Sequence, residues 1–327
     1  NSSNSTTFGA DCNLGYSFGK PIITKLANGI WVALVTSGYN NVNGQTGDGE
    51  GFLYVLDAMT GQIISKVSTG VGDATTPSGL AQINNFVDNA LIDNTTKLVY
   101  GGDNEGNVWR FVVNELPDNP LTLPVDPVVA SATLLATTKD STGVAQPITT
   151  RPELGEIAGK PWVFVGTGRL LGLPDLTDVS PQSVYGFDAS VTYTDAVLYP
   201  GGVRDALRPL LITSPAPGPD GNPVVGATRT VACTGNTTEC ARPNGWVVDL
   251  PDAGERVNVD LGLELGTLVF ASNVPKNTAC SIGGYSWLNF VNFRTGLAVA
   301  SANGIVSYYL GPTLAVGLSI MRLPPTT

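Results

Sequence analysis

No histidine occurs anywhere in the 327 residues of this chain. Its absence excludes a Ser-His-Asp or Cys-His relay, a His-ligated zinc or haem site and an imidazole proton shuttle. Any catalysis would have to use carboxylates, Lys, Tyr or a cofactor. The sequence therefore restricts enzymatic interpretations to those groups.

Charge is also scarce, since only 13% of the residues are charged and the 17 basic ones are scattered singly. The formal net charge is −10 and the sequence pI is about 4.4. Such a chain cannot form the basic stripe that neutralises nucleic-acid phosphates, so nucleic acid and anionic membranes are poor candidate partners. A typical soluble domain is about 25% charged, and a surface of Asn, Ser, Thr and Gly suits an extracellular β protein better.

Long apolar runs are missing as well, because no stretch of about 18 apolar residues is available for a membrane-spanning helix. At 42% hydrophobic residues, the chain can nevertheless bury a large core. It begins with Asn1, and the polar segment 1–7 has neither the basic end nor the apolar centre of a signal peptide. We therefore expect a mature or truncated chain.

The four cysteines include no CxxC pair of the kind that binds zinc or exchanges disulfides. Cys233 and Cys240 bracket a turn-rich segment, which predicts a small disulfide loop. Cys12 and Cys280 are then left to pair, although other pairings and four reduced thiols remain open. The low charge and the loops rich in Gly and Asn favour an oxidising compartment.

The chain repeats a strand-turn-strand unit and shows little helical periodicity, which predicts an all-β fold. Each unit combines short apolar, β-branched runs with turn residues. The units lie at residues 31–38 with 51–68, 97–113, 161–168 with 182–188, and 266–272 with 285–296.

Two of these units align in detail, because residues 53–61 and 288–296 share a Leu, an Asp or Asn, and a closing Thr-Gly. Such repeats predict a β-propeller, partial or decorated by insertions, with quinoprotein-like four-stranded blades. The predicted domain covers residues 1–327, with long loop insertions at about 114–150 and 193–244. Two unrelated β-sandwiches joined at residues 114–150 are the alternative.

Polar residues at equivalent strand ends are predicted to cap turns through nearby backbone N–H groups. They are Asp57, Asp188 and Asn292. The tryptophans fall in the apolar runs and are expected to pack between blades. They are Trp31, Trp109, Trp162, Trp246 and Trp287.

Several motifs resemble, in the same order, the C-terminal propeller of the PilY family. The clearest are LGYSFGKP at 14–21, SGYNN at 37–41, GDGEGFLYVLD at 47–57 and YGGDNEGNVWRF at 100–111. Further agreement lies at residues 245–251, 254–257, 273–275, 279–287 and 315–318. The resemblance covers nearly the whole chain.

The resemblance implies a non-enzymatic protein, extracellular or at the cell surface, that is associated with the type IV pilus tip and the outer membrane. Family members are adhesins and biogenesis factors, so the implied functions are pilus assembly, control of retraction and surface adhesion. The implied partners are minor pilins and a host or abiotic surface. The family's propeller has further blades before the LGY motif, so a second chain or an N-terminal region is expected to complete it.

The resemblance also raises the question of calcium. In the family, an Asp-rich loop precedes the motif found here at 99–103 and binds calcium, which requires several inward-pointing oxygen ligands. The corresponding residues 89–97 retain Asp93 as a carboxylate but place Leu91 and Lys97 at other ligand positions. We therefore predict that this loop binds no calcium and that an ammonium group, from Lys97, takes the place of the ion's charge.

Two carboxylates on another loop, Asp48 and Glu50, are a weaker alternative metal site. Such a loop is more often a solvated turn between strands. No catalytic residue and no cofactor is predicted.

Two other functions remain open. The segment LYVLDAMTG is also the repeat type of quinoprotein dehydrogenases, which carry pyrroloquinoline quinone above calcium. Those enzymes need a base beside the quinone and a disulfide between adjacent cysteines, and this chain has no adjacent pair. The other alternative is a structural cell-surface protein that associates with itself through open blade edges.

Overall fold

The structure is a computed structural model that describes residues 12–42, 47–89, 92–115, 129–276 and 283–321. The chain divides into two compact units, Asn1–Thr137 (unit 1) and Thr138–Thr327 (unit 2). Strands dominate both units, which confirms the all-β prediction.

The strands are β1 Ile22–Lys25, β2 Trp31–Thr36, β3 Phe52–Asp57, β4 Ile63–Ser68, β5 Gln82–Asn89, β6 Asp93–Gly102, β7 Asn107–Glu115, β8 Val129–Thr137, β9 Glu153–Ile157, β10 Lys160–Gly166, β11 Ser183–Asp188, β12 Arg208–Thr213, β13 Thr228–Cys233, β14 Gly245–Asp249, β15 Gly262–Glu264, β16 Thr267–Pro275, β17 Gly284–Asn292 and β18 Ile305–Gly311. Helix is confined, in the described ranges, to one α-helical turn, α1 Thr237–Cys240, and 3-10 turns at Leu173–Leu176, Gly202–Ala206 and Ala300–Ala302. None of the described helices is long and apolar enough to cross a membrane.

Unit 1 contains two four-stranded antiparallel meanders, β1 to β4 and β5 to β8. They join where β1 runs parallel to β6, with Lys25 opposite Thr95. Because successive side chains of a strand point to opposite faces, alternate apolar residues gather on one side. The resulting core consists of Leu26, Val32, Leu34, Leu53, Val55, Val67, Leu80, Ile83, Val99, Trp109, Phe111 and Val113.

Unit 2 also contains two four-stranded antiparallel arrays, β9-β10-β11-β14 and β15 to β18. The β12–β13 hairpin joins them, because β12 lies parallel to β14 and β13 lies antiparallel to β18. The result is one ten-stranded sheet. Its core consists of Trp162, Phe164, Val184, Leu210, Ile212, Trp246, Val248, Leu250, Val257, Leu261, Leu268, Phe270, Val291 and Val306.

The two segments predicted as loop insertions contain regular structure. Strand β8 lies within 114–150, and β12, β13 and α1 lie within 193–244. In β12, Leu210 and Ile212 alternate with exposed residues and enter the core of unit 2. The β12–β13 hairpin, residues 208–233, therefore forms part of the sheet and is called here the strap. Its loop portion is the connection 214–227.

The aligned repeats form the same turn. Asp57 accepts hydrogen bonds from the backbone N–H groups of residues 59 and 60, and Asn292 accepts them from residues 294 and 295. In each turn the closing glycine, Gly61 or Gly296, donates its N–H to the carbonyl of the capping residue at 2.8 Å. Both glycines have positive φ. Asp188 caps its own turn at Ser190, so the predicted role of all three polar residues is confirmed.

Four of the five tryptophans are buried, with Trp109, Trp162, Trp246 and Trp287 each at most 5% exposed. Trp31 is the exception at 48% exposed. Strand β2 turns Val32 and Leu34 into the core, so Trp31 necessarily points to the opposite face. The prediction that Trp31 packs inside was therefore wrong.

Replacing Gly296 with Ala is expected to destabilise unit 2 by about 2 to 4 kcal/mol, from left-handed backbone strain together with overpacking. A Cβ atom at Gly296, where φ is +69°, would lie 2.5 Å from Leu210 Cδ1 and 2.6 Å from Trp246 Cδ2. Gly304 is the matched control, because its φ is +83° and its surroundings are open. Urea unfolding of Gly304→Ala should show the strain alone, about 1 kcal/mol. Equal losses in the two variants would contradict the proposed packing contact.

Candidate functional sites

Asp93, the one carboxylate of the degenerate calcium loop, is paired with a cation. It begins β6, and its Oδ1 lies 2.8 Å from Lys25 Nζ and accepts a 2.6 Å hydrogen bond from Thr95 Oγ1. The hydrogen bond from Lys25 is the main reason that the pKa of Asp93 is lowered. The contact arises because the β1–β6 register sets Lys25 opposite Thr95.

The ammonium group that faces Asp93 is therefore that of Lys25 and not that of Lys97. Lys97 lies on the exposed face of β6. The sequence suggested Lys97 because it is close in the chain, whereas Lys25 reaches the site through strand pairing. Leu91 lies outside the described residues.

Calcium at millimolar concentration is expected to leave the thermal unfolding temperature unchanged. The physical reason is that Lys25 already neutralises Asp93, whereas calcium needs several oxygen ligands of its own. Thermal scans in calcium and in a chelator test this. A rise in the unfolding temperature that disappears in Asp93→Ala would contradict it, because a ligand that binds only the folded state must stabilise it.

The second candidate metal loop is a hydrogen-bonded turn. Asp48 Oδ2 accepts a bond from Asn13 Nδ2 at 2.9 Å, and Asp48 Oδ1 accepts one from the backbone N–H of Glu50 at 3.0 Å. Glu50 Oε2 accepts a bond from Ser68 Oγ. Across the described ranges, no group of three or more Asp, Glu, Cys or His side chains is arranged to hold a metal ion. Metal binding by Asp48 and Glu50 stays a hypothesis.

The structure contains the Cys233–Cys240 disulfide, which joins the end of β13 to α1. Both cysteines are half-buried at the surface of unit 2. Cys280 lies outside the described residues, so its pairing with Cys12 stays a prediction.

A buried charged cluster near the loop end of the hairpin, formed by Arg229, Asp252 and Glu255 and called here the Arg229 cluster, was not predicted. Arg229 on β13 is 0% exposed and binds both oxygens of Glu255, at 2.7 and 2.9 Å. Its NH2 group lies 2.6 Å from Asp252 Oδ2, and its guanidinium carbon lies 3.7 Å from the ring centre of Trp287.

The remaining oxygens of the Arg229 cluster also have partners. Ser214 Oγ donates to Asp252 Oδ1 at 3.0 Å and accepts from Arg229 Nε at 2.8 Å. Tyr285 and Trp287 both donate to Asp252 Oδ2, at 2.9 and 3.1 Å. The cluster therefore fixes β13 to β17 and to the loop after β14, and its hydrogen-bonding groups have partners within unit 2.

A second cluster of polar side chains, around Arg204, fixes the early part of the predicted insertion 193–244. Arg204 binds both oxygens of Asp249, at 3.1 and 2.6 Å, and donates to Ser183 Oγ at 3.0 Å. Tyr185 lies beneath the guanidinium, and burial raises the pKa of its hydroxyl to about 12. Arg204 thus connects the 3-10 turn at Gly202–Ala206 to β11 and β14.

The hairpin loop 214–227 is the most exposed part of this strap. Pro215, Pro217 and Pro219 are exposed, while Val224 is 50% and Val225 is 94% exposed. Proline fixes φ and so limits the conformations of the loop. The exposed prolines and valines make this loop a candidate surface for contact with another protein.

Comparison with known proteins gives a family match. The family model described as the PilY1 beta-propeller domain matches residues 1–211. Among curated proteins, the chain is 28% identical over 313 residues to a type IV pilus biogenesis factor PilY1 homolog of Xylella fastidiosa, covering 91% of this chain and 20% of that protein. It is 27% identical over 314 residues to type IV pilus biogenesis factor PilY1 of Pseudomonas aeruginosa, covering 87% of this chain and 26% of that protein. The chain therefore spans about a fifth to a quarter of these relatives.

A solved structure shows the fold. The crystal structure of the Pseudomonas aeruginosa PilY1 C-terminal domain superposes with a TM-score of 0.66 at 23% identity, covering 89% of this chain and 61% of that one. Together with the matched family model, this likeness confirms the β-propeller prediction. That residues 1–327 form one domain stays a prediction.

Proposed function

Since the chain belongs to the PilY1 beta-propeller domain family, we propose that it functions in the biogenesis of type IV pili. The observation that carries this proposal is the family match over residues 1–211. It is supported by relatives from Xylella fastidiosa and Pseudomonas aeruginosa that are named type IV pilus biogenesis factors.

The proposed mechanism is interfacial and non-enzymatic. The sheets act as a stiff scaffold, and the exposed loop 214–227 contacts minor pilins or a host or abiotic surface. Firm anchoring supports this role, because the Arg204–Asp249 pair precedes the loop and the Arg229 cluster follows it, and both fix the chain to neighbouring strands. A scaffold that positions a loop in advance lowers the entropy cost of binding.

We extend the proposal to location and to finer function. The protein lies outside the cell at the pilus tip, where it supports assembly, adhesion and control of retraction. The low content of charge and the Cys233–Cys240 disulfide favour an extracellular location. In the Arg229 cluster and the Arg204–Asp249 pair, the charged side chains are hydrogen-bonded to one another. They are therefore not available to react with a substrate, which favours a binding role over a catalytic one.

Co-purification tests the proposed location. Pili sheared from cells that produce the native gene product should carry it, and pilus-free medium from a strain without pilin should contain it only as unassembled protein. Its absence from purified pili, together with quinone absorbance and dye-linked alcohol oxidation, would instead support the quinoprotein alternative. Assembly of the isolated protein with rising concentration would support the self-associating alternative.

Replacing Val225, which is 94% exposed, with Ser is expected to lower the amount of protein on sheared pili several-fold while leaving thermal unfolding unchanged. The reason is that exposed apolar side chains lose nothing in the monomer but contribute at an interface. Val316, which is 97% exposed outside this loop, is the matched control. Equal retention of the loop variant and Val316→Ser would show that loop 214–227 is not the contact surface.

A further inference from the structure

The β12–β13 strap is held differently at its two ends. Next to the hairpin loop, β13 is anchored by Arg229, whose side chain is fully buried and pairs with Glu255. At the opposite end, β13 stops at Cys233, which is bonded to Cys240. One end is thus fixed by a buried ion pair. The other is fixed by a disulfide at the surface, and the side chains of Val231 and Cys233 also pack against the core of unit 2.

Strand pairing is weaker at the disulfide end. Strand β13 pairs with β18 only at Thr228, Arg229 and Thr230, with an irregular register after Arg229. Residues 231–233 pair with β12 alone. They therefore have the backbone pairing of an edge strand, in which one row of hydrogen-bonding groups lacks a strand partner.

The segment beyond Cys233 lies on the surface. None of the residues of α1 is buried, and the turn is stabilised locally by Asn236, whose side chain caps it. The last residue of α1 is hydrogen-bonded to the strap, because Arg208 Nε donates to the carbonyl oxygen of Cys240 at 2.6 Å. The disulfide is the covalent link between this tethered point and the end of β13.

We propose that the Cys233–Cys240 disulfide acts as a reducible latch, meaning a bond that holds residues 231–239 against the rest of the strap until it is reduced. Unit 2 then has an oxidised state in which this segment is closed and a reduced state in which it opens locally. A dithiol reductant attacks one sulfur and forms a mixed disulfide, and its second thiol then displaces the protein thiol. The reductant loses two electrons and becomes a cyclic disulfide, while Cys233 and Cys240 each end as a thiol. Reduction makes local opening of residues 231–239 more frequent, against the remaining core contacts of Val231 and Cys233, whereas the Arg229 cluster keeps the rest of the strap in place.

Hydrogen exchange on the native protein, with and without dithiothreitol, tests the latch. Amides in residues 231–240 are expected to exchange about tenfold faster or more after reduction, because local opening no longer works against the cross-link. Residues 228–230 and strand β17 should exchange at an unchanged rate. The double variant Cys233→Ser with Cys240→Ser should show the fast exchange without reductant.

The same double variant is the control for any other disulfide, since dithiothreitol should then leave residues 231–240 unaffected. Two results would overturn the proposal. Unchanged exchange in residues 231–240 after reduction would show that pairing with β12 and the core packing of Val231 and Cys233 keep this end closed without the disulfide. Equal acceleration throughout unit 2 would show that the disulfide stabilises the whole fold and is not a local latch.

Discussion

Replacing Arg229 with Ala is expected to destabilise unit 2 by about 3 to 5 kcal/mol, which is the range for removing one partner of a buried ion pair. Both Arg229 and Glu255 have side chains that are 0% exposed. The variant would leave the carboxylate of Glu255 buried without its guanidinium. It would also remove the cation from the face of Trp287.

The position of Arg229 adds to the effect, because its side chain joins the strap to two other parts of unit 2. Arg229 belongs to the strap, whereas Glu255 and Trp287 lie beyond β14 and on β17. Loss of the guanidinium therefore releases the hairpin from its neighbours and also leaves the buried Glu255 carboxylate without its cation. Urea unfolding followed by tryptophan fluorescence reports this directly, because Trp287 contacts the guanidinium.

Two further variants make the prediction specific. Arg229→Lys keeps the charge but cannot bind both oxygens of Glu255, so it should recover only part of the lost stability. Arg242→Ala removes a cation from a half-exposed pair with Glu239 together with one hydrogen bond to the carbonyl of Leu207, and should cost about 1 to 2 kcal/mol. If Arg229→Lys unfolds at the same urea concentration as the wild type, the bidentate geometry is not what stabilises the strap.

The second large effect is expected at Asp103, at the turn between β6 and β7 in unit 1. Its Oδ1 accepts from the backbone N–H groups of Glu105 and Asn107, at 3.0 and 2.9 Å. Its Oδ2 accepts from Trp109 Nε1 at 2.8 Å, from Asn107 Nδ2 at 3.1 Å and from Ser78 Oγ at 3.3 Å. The residue itself is 0% exposed.

Asp103→Ala is expected to cost about 3 to 5 kcal/mol, because several buried donors would lose their acceptor at about 1 to 3 kcal/mol each before relaxation. Asp103→Asn retains one acceptor oxygen but turns an NH₂ group toward donors, so an intermediate loss is expected. The free energy of urea unfolding measures both.

Asp57 is the matched control for Asp103. It accepts hydrogen bonds from Met59 and Thr60 in a similar turn, but these donors are exposed and can bind water instead. Asp57→Ala should therefore cause a much smaller loss than Asp103→Ala. Similar losses would mean that the shape of the turn, and not the burial of the donors, determines the effect.

Much of the fold could be predicted because its signals are local. The aligned segments 53–61 and 288–296 each carry a strand, an Asx cap and a closing glycine within nine residues, and the structure shows the same turn in both. The Cys233–Cys240 loop is similarly short. Patterns of this kind depend on backbone geometry over a few residues, so tertiary context does not alter them.

The features that sequence reasoning missed depend on strand pairing over long distances. Arg229 and Glu255 are separated by 26 positions, and their contact depends on where β13 is inserted in the sheet, between β12 and β18. Lys25 reaches Asp93 across the parallel β1–β6 pair, which no sequence period reveals. The alternation of Leu210 and Ile212 was the available signal for β12, but the surrounding prolines favoured a loop.

The most direct test of the proposed function is the amount of pilin recovered from the cell surface after the segment encoding residues 1–327 is deleted in frame from the native gene. If the domain acts in pilus biogenesis, surface pilin should fall at least several-fold while total cellular pilin is unchanged, and the restored gene should recover it. Normal surface pilin in the deletion strain, with the remaining gene product present, would contradict the proposal.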